Sequence, residues 1–158
     1  MKKIALLVCA SALSFTVFAQ RYPGNTGISA EEKLNNEYCS GPFKTHEGTI
    51  IDLANENETA KSYLNVLEWL QGRVAGLQIH YTRAGTPVPF IRNTRASIFV
   101  DEIPVDAGYI NNLPVADIAM IKIIKQPFIG TVSNGGGGVV AIYTLKGDDD
   151  GDDNGDDK

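Results

Sequence analysis

Sulfur, histidine and clustered basic charge are all scarce in this chain. Its 158 residues include two cysteines, two histidines and one tryptophan. Cys9 lies in the leading apolar run and Cys39 is alone beyond it, so the body has no partner for an internal disulfide. A catalytic thiol needs a base beside it. His46 is the nearest histidine in sequence, and nothing else around Cys39 marks a site. His46 and His80 are far apart, and no HxxxH, HxH or CxxC spacing occurs, which excludes the common metal arrangements. His80 falls on the polar phase of an alternating strand and reads as a solvated side chain. Ser133 lacks the Gly-x-Ser-x-Gly setting of a nucleophile elbow. Asp101 and Glu102 are adjacent, and neighbours on a strand point to opposite faces, so they read as turn residues and not as an acid–base pair. No catalytic residue and no cofactor is therefore expected, and the chain is not expected to be an enzyme. Basic residues do not interleave with aromatics, which leaves nucleic acid out as a partner.

What is present is segregated along the chain. Lys2 and Lys3 precede an apolar run over residues 4–18, and Val17-Phe18-Ala19 sets modest residues at the −3 and −1 positions of a cut before Gln20. That order is the order of a secretory signal over residues 1–19. The run is shorter than the roughly 20 residues that span a bilayer, which favours cleavage over a membrane anchor. Cys9 sits inside the run and not at its end, so lipidation is not expected. Nothing after the signal is apolar enough to cross a membrane as a helix. At the other end, residues 148–158 hold seven Asp, one Lys and no apolar side chain, so they contribute −6 against a net charge of −5 for the chain. Such a tail cannot offset its ordering entropy by burial and is expected to be disordered. Asp150, Asp152 and Asn154 match the opening D-x-D-x-N-G of a calcium loop. The glutamate of loop position twelve falls beyond Lys158, so only weak calcium association is left as a metal reading.

Between these ends, residues 20–48 are polar and irregular and read as a mobile lead-in or linker. Within them Ser29 is a candidate N-cap for a short helix to Tyr38, with Glu32 completing a capping box. Residues 49–53 suit a short strand. From Thr59 the apolar positions Tyr63, Val66, Leu67, Leu70 and Val74 fall at helical steps. Gly72 inside that pattern serves either close packing or an early helix end, and Gly76 suits a C-cap. Residues 77–82 alternate as a half-buried strand does. Residues 83–89 read as a loop, 90–92 and 97–101 as strands, 115–120 as helical turns, and 121–125 and 139–145 as strands. The run Gly135 to Gly138 is followed by a β-branched strand and not by a helix, so it reads as a tight bend and not as a phosphate cradle. The expected fold class is α+β, a small mixed sheet with two helices.

Five segments in fixed order carry a resemblance. Leu70-Gln71-Gly72-Arg73-Val74-Ala75-Gly76-Leu77-Gln78-Ile79 looks like "LQGRVAGLQV". Pro89-Phe90-Ile91-Arg92 resembles "IRIRG", and Phe99-Val100-Asp101-Glu102-Ile103-Pro104-Val105 resembles "YVVDGIPV". Residues 117–125 resemble "DIESIEVLK", and residues 137–147 resemble "GVIAIYTKKG". Ile129-Gly130 stands where "YG" is usual. These are segments of the plug domain of TonB-dependent receptors, in the SusC-like branch, and the similarity spans roughly residues 60–147. Glu102 stands where the family's turn has glycine, and Asn93-Thr94-Arg95 replaces the "RG" after the short strand. No TonB box is evident in residues 20–47, and no barrel sequence follows the plug-like segments.

The resemblance implies a plug-like domain over residues 49–147, with Leu67, Leu70, Val74, Ile79, Ile98, Val100, Ile121, Ile123, Val140 and Ile142 in its core. It implies an exported, stand-alone binding module at the periplasmic face of the outer membrane, unable to transport by itself. The partner would be a receptor barrel, another envelope protein or a glycan. Two alternatives stand beside it: a truncated or degenerate receptor fragment, and a secreted calcium-responsive protein acting through its tail.

Overall fold

Two antiparallel strands, β7 (Ile118–Ile124) and β8 (Val139–Thr144), form the centre of the fold, and every residue of β7 is buried. The computed structural model describes residues 28–128 and 136–147. Around the central pair run β1 (Thr49–Asp52), β5 (Ser97–Val100) and β6 (Ile103–Val105), in the order β1-β7-β8-β5-β6. Only the β5–β8 pairing is parallel, so the sheet is mixed. A second, antiparallel sheet has the order β2-β3-β4, from Leu77–Tyr81, Pro87–Ile91 and Thr94–Arg95. Among the described residues there are three short α-helices: α1 (Ala30–Tyr38), α2 (Val66–Leu70) and α3 (Ala107–Ile110).

A strand turns alternate side chains to opposite faces, and here both faces are apolar. On one face Ile121 and Ile123 of β7, Val140 and Ile142 of β8 and Ile98 and Val100 of β5 join α2, α3 and the second sheet in the main core. All ten residues expected in the core are there, each at most 7% exposed. On the other face Met120, Ile124, Val139, Ala141, Tyr143 and Phe99 form a second core with Cys39 and Phe43. Leu34 and Tyr38 of α1 pack against it.

This second core changes the reading of the lead-in. From Ala30 onward that stretch is a helix followed by a 3₁₀ turn (Gly41–Lys44), packed on the sheet. The capping expectation is met by Ser29, whose Oγ accepts the Glu32 amide at 3.1 Å. A linker was expected over residues 20–48 because they are polar in composition, but a short helix and a 3₁₀ turn need few apolar residues to pack on one face of a sheet. Leu34, Tyr38 and Phe43 suffice. Residues 1–27, with the expected signal, and 148–158, with the acidic tail, lie outside the described residues.

The helix expected from Thr59 onward is divided. A 3₁₀ turn (Glu58–Ser62) comes first, Tyr63 is extended, and α2 starts only at Val66. The cause is Asn65, whose Oδ1 accepts the Leu67 amide at 2.8 Å and so caps a new helix instead of continuing an old one. Gly72, at φ +76°, ends the helical path early, and open space around it rules out close packing as its role. The second strand of the small sheet begins at Pro87, inside the expected loop. The turns expected over 115–120 shrink to a 3₁₀ turn at Val115–Asp117, with β7 taking over at Ile118. Helix α3, capped by Asp106 through the Ala107 amide at 2.7 Å, was not foreseen. Gly138 does supply the bend into the last strand, at φ +96°. A Cβ on Gly137 would overlap the Thr94 and Arg95 carbonyls of β4, so this glycine lets the two sheets approach.

Two leucines test this division of the chain. Leu70 is fully buried and Leu64 is 91% exposed. Leu70→Ala should destabilise by about 2–5 kcal/mol, and Leu64→Ala should stay within about 0.5 kcal/mol of the parent. Urea unfolding of both, read by far-UV circular dichroism, checks the contrast.

Candidate functional site

The end of α1 and the β5–β6 turn meet over the far end of β8, and a network of polar side-chain contacts gathers there. Asp101 and Glu102 form the turn. Glu102 Oε1 accepts the Ser40 amide at 2.5 Å and the Tyr143 hydroxyl at 3.3 Å, while Oε2 accepts the Ser40 hydroxyl. Asp101 accepts the Thr144 amide at 2.9 Å and its hydroxyl at 2.8 Å. Lys146 donates to the Glu37 carbonyl at 2.5 Å and lies 4.8 Å from the centre of the Tyr38 ring. Tyr38, Asp101, Glu102, Tyr143, Thr144, Leu145 and Lys146 line an open cavity of about 260 Å³. The two carboxylates are turn residues, as expected, and each is committed to fastening a neighbouring segment.

Cys39 sits under this corner, buried at the C-cap of α1. Burial pushes its thiol above the ordinary 9.0, outweighing a hydrogen bond with Tyr143 and the charge of Lys122 that pull the other way. A thiol held protonated is a poor nucleophile. Burial, followed by the contacts with Cys39 and Glu102, raises the Tyr143 phenol well above 10.0. Tyr38 is raised as well, first by burial and then by the charges of Glu37 and Asp52.

Beneath α1 lies the one charged side chain among the described residues that is fully buried, Lys122 at 0% exposure. Its ammonium donates to Asn35 Oδ1, to the Phe43 carbonyl at 2.7 Å and to the Thr45 carbonyl at 2.5 Å. Three donors thus meet three acceptors, none of them a carboxylate. Burial lowers its pKa from the ordinary 10.5, opposed by the charge of Cys39. Sequence reasoning missed this residue. In Ile121-Lys122-Ile123 the lysine reads as the solvent phase of a half-buried strand, and only the apolar run on both sides of it signals a strand covered twice.

The remaining candidates are scattered. His80 is exposed and stacks on Phe90, with ring centres 4.4 Å apart. His46 lies in a separate shallow cavity with Ser29, Glu31 and Glu32. Ser133, Gly135 and the calcium candidates Asp150, Asp152 and Asn154 lie outside the described residues. Among the described residues no three His, Cys, Asp or Glu side chains gather as a metal site, and no helix is long and apolar enough to cross a membrane.

These shifts set a pH dependence. Groups whose folded pKa is raised stabilise the fold below their unfolded pKa, and that stability is lost as pH climbs through the folded value. Cys39, Tyr38 and Tyr143 all have this sign, so their contribution falls away above about pH 9 to 10. Lys122 has the opposite sign: its folded form binds fewer protons, so its share grows as pH rises toward 10.5. With three groups against one, the urea midpoint should fall above pH 9, and fall less steeply in Tyr143→Phe. A titration of the midpoint from pH 7 to 10.5 checks this.

No family model matches the chain, and no curated protein matches it. Solved structures do match its fold. The RagAB peptide importer in its "open-open" state is 23% identical with a TM-score of 0.51, over 65% of this chain and 13% of that one. A double mutant of the ferric enterobactin receptor PfeA from Pseudomonas aeruginosa is 21% identical with a TM-score of 0.51, over 76% of this chain and 19% of that one. The siderophore receptor PirA from Acinetobacter baumannii is 20% identical with a TM-score of 0.50 over the same shares. The chain therefore has the α+β fold of a segment of TonB-dependent receptors and spans less than a fifth of their length.

Proposed function

We propose that this chain is an exported plug-like domain of the SusC-like branch, with a non-catalytic binding role at the periplasmic face of the outer membrane. The observation that carries the proposal is the coincidence of two independent patterns. The five segments that resemble a receptor plug fall, in order, on the α2–β2 passage, β3, the β5–β6 hairpin, β7 and β8. The fold that these elements build is similar, over 65% and 76% of the chain, to the importer and receptor structures. The stand-alone role has physical support as well. The five-stranded sheet buries both its faces within this chain, so the fold does not depend on a surrounding barrel to cover its core.

A binding role also suits the chemistry. The polar groups of the α1–turn corner are engaged with one another, and its thiol is buried and held protonated. Residues 1–19 act as the export signal, and the partner is a receptor barrel or another envelope protein, or a glycan.

The test is a pull-down of the tagged mature chain, beginning at Gln20, from an envelope extract. A receptor barrel or other outer-membrane protein should be recovered in stoichiometric amount across several detergents. Recovery of the chain alone in every detergent would contradict the binding role and fit a receptor fragment instead.

A further inference from the structure

The β5–β6 turn places two residues in a backbone region that side chains rarely adopt. Asp101 has φ +48° and Glu102 has φ +68°. A two-residue hairpin turn of type I′ needs both angles positive, and asparagine or glycine fills such positions with least strain. A glutamate at the second position is unfavourable for the turn itself. Its side chain explains its presence. The half-buried Glu102 carboxylate takes both the amide and the hydroxyl of Ser40, 62 positions earlier in the chain, and the Tyr143 hydroxyl beside them.

Ser40 lies between the helix and the 3₁₀ turn of the segment that covers the second core. That segment, residues 29–47, contributes no side chain to the main core on the opposite face of the sheet. It rests on the sheet through Leu34, Tyr38, Cys39 and Phe43 and through the polar contacts of Asn35. A segment held in this way can lift while the main core stays closed, because the two clusters share no residue. We infer that Glu102 is a clip that holds this strap shut, and that the strap opens as a local unit, uncovering the apolar face of Phe99, Met120, Ala141 and Tyr143 and freeing Cys39.

Cys39 provides its own reporter. It is the sole cysteine after residue 19 and is buried beneath the strap, so its labelling by a soluble thiol reagent reads strap opening. Glu102→Gly removes the clip and at the same time relieves the turn, which separates local from global effects. Labelling of Cys39 in the full mature chain should accelerate by about tenfold or more, since two charge-assisted hydrogen bonds to a partly exposed carboxylate are lost. The urea midpoint should stay level or rise. Amide exchange should speed up in α1 and remain slow in β7 and β8. Glu102→Gln keeps the turn residue and one acceptor oxygen, and its labelling rate should fall between the two. Labelling at the parent rate in both variants would overturn the clip. So would faster labelling accompanied by equally faster exchange in β7 and β8, since the strap would then open only with the whole fold.

Discussion

A lysine ammonium buried without a carboxylate must find three oxygen atoms or leave the interior. Lys122 projects from the most deeply buried strand, and the oxygens it finds all belong to residues 35–45. The polar N-terminal stretch is therefore held to the sheet by more than its few apolar contacts. Without that stretch the ammonium would face open solvent, and Phe99, Met120 and Ile124 would be exposed around it. With it, the sheet is closed on both faces. The second core, the position of Cys39 and the corner where Glu102 meets Ser40 all follow from this arrangement.

A sheet closed on both sides gives the fold a self-sufficient interior. In a receptor, a segment of this fold amounts to less than a fifth of the chain. Here the same fold covers its own apolar surface with α2, α3 and the small sheet on one side and α1 on the other. Among the described residues, the large apolar side chains left exposed are Ile28, Tyr63, Leu64, Tyr81, Ile103, Tyr109 and Leu145. The polar network at the α1–turn corner fastens segments to one another and leaves no free acid, base or reactive thiol there.

Strand alternation was the most legible signal. Leu77 and Ile79 point inward and Gln78 and His80 outward, as their spacing predicts. Of the ten expected core residues, seven lie on the inward phase of a strand, Leu67 and Leu70 lie on the buried side of α2, and Val74 lies in the passage that follows it. Helical periodicity was less reliable. Val66, Leu67 and Leu70 do share a buried face, but Tyr63 fell in step with them from an extended residue and not from the same helix. A hydrogen bond from the Leu67 amide to Asn65 Oδ1 interrupts the run, and no hydropathy pattern records it. The second core was hidden for a related reason. Lys122 looks like the polar phase of a strand, and the residues that cover it look like a linker, so each misreading supported the other. At the turn, the departure from glycine at Glu102 was visible, but its partner Ser40 was not, because only the folded chain brings them together.

The claim that Lys122 fastens the N-terminal segment is tested most directly by Lys122→Met, which keeps the apolar stem and removes the three donors. The Asn35 side chain and the Phe43 and Thr45 carbonyls would be left buried without that partner, at a cost of about 2–4 kcal/mol. Urea unfolding of this variant, combined with amide exchange, should show that loss together with reduced protection in α1. Stability equal to or above the parent's, with α1 still protected, would contradict the claim and show that apolar packing alone holds the segment in place.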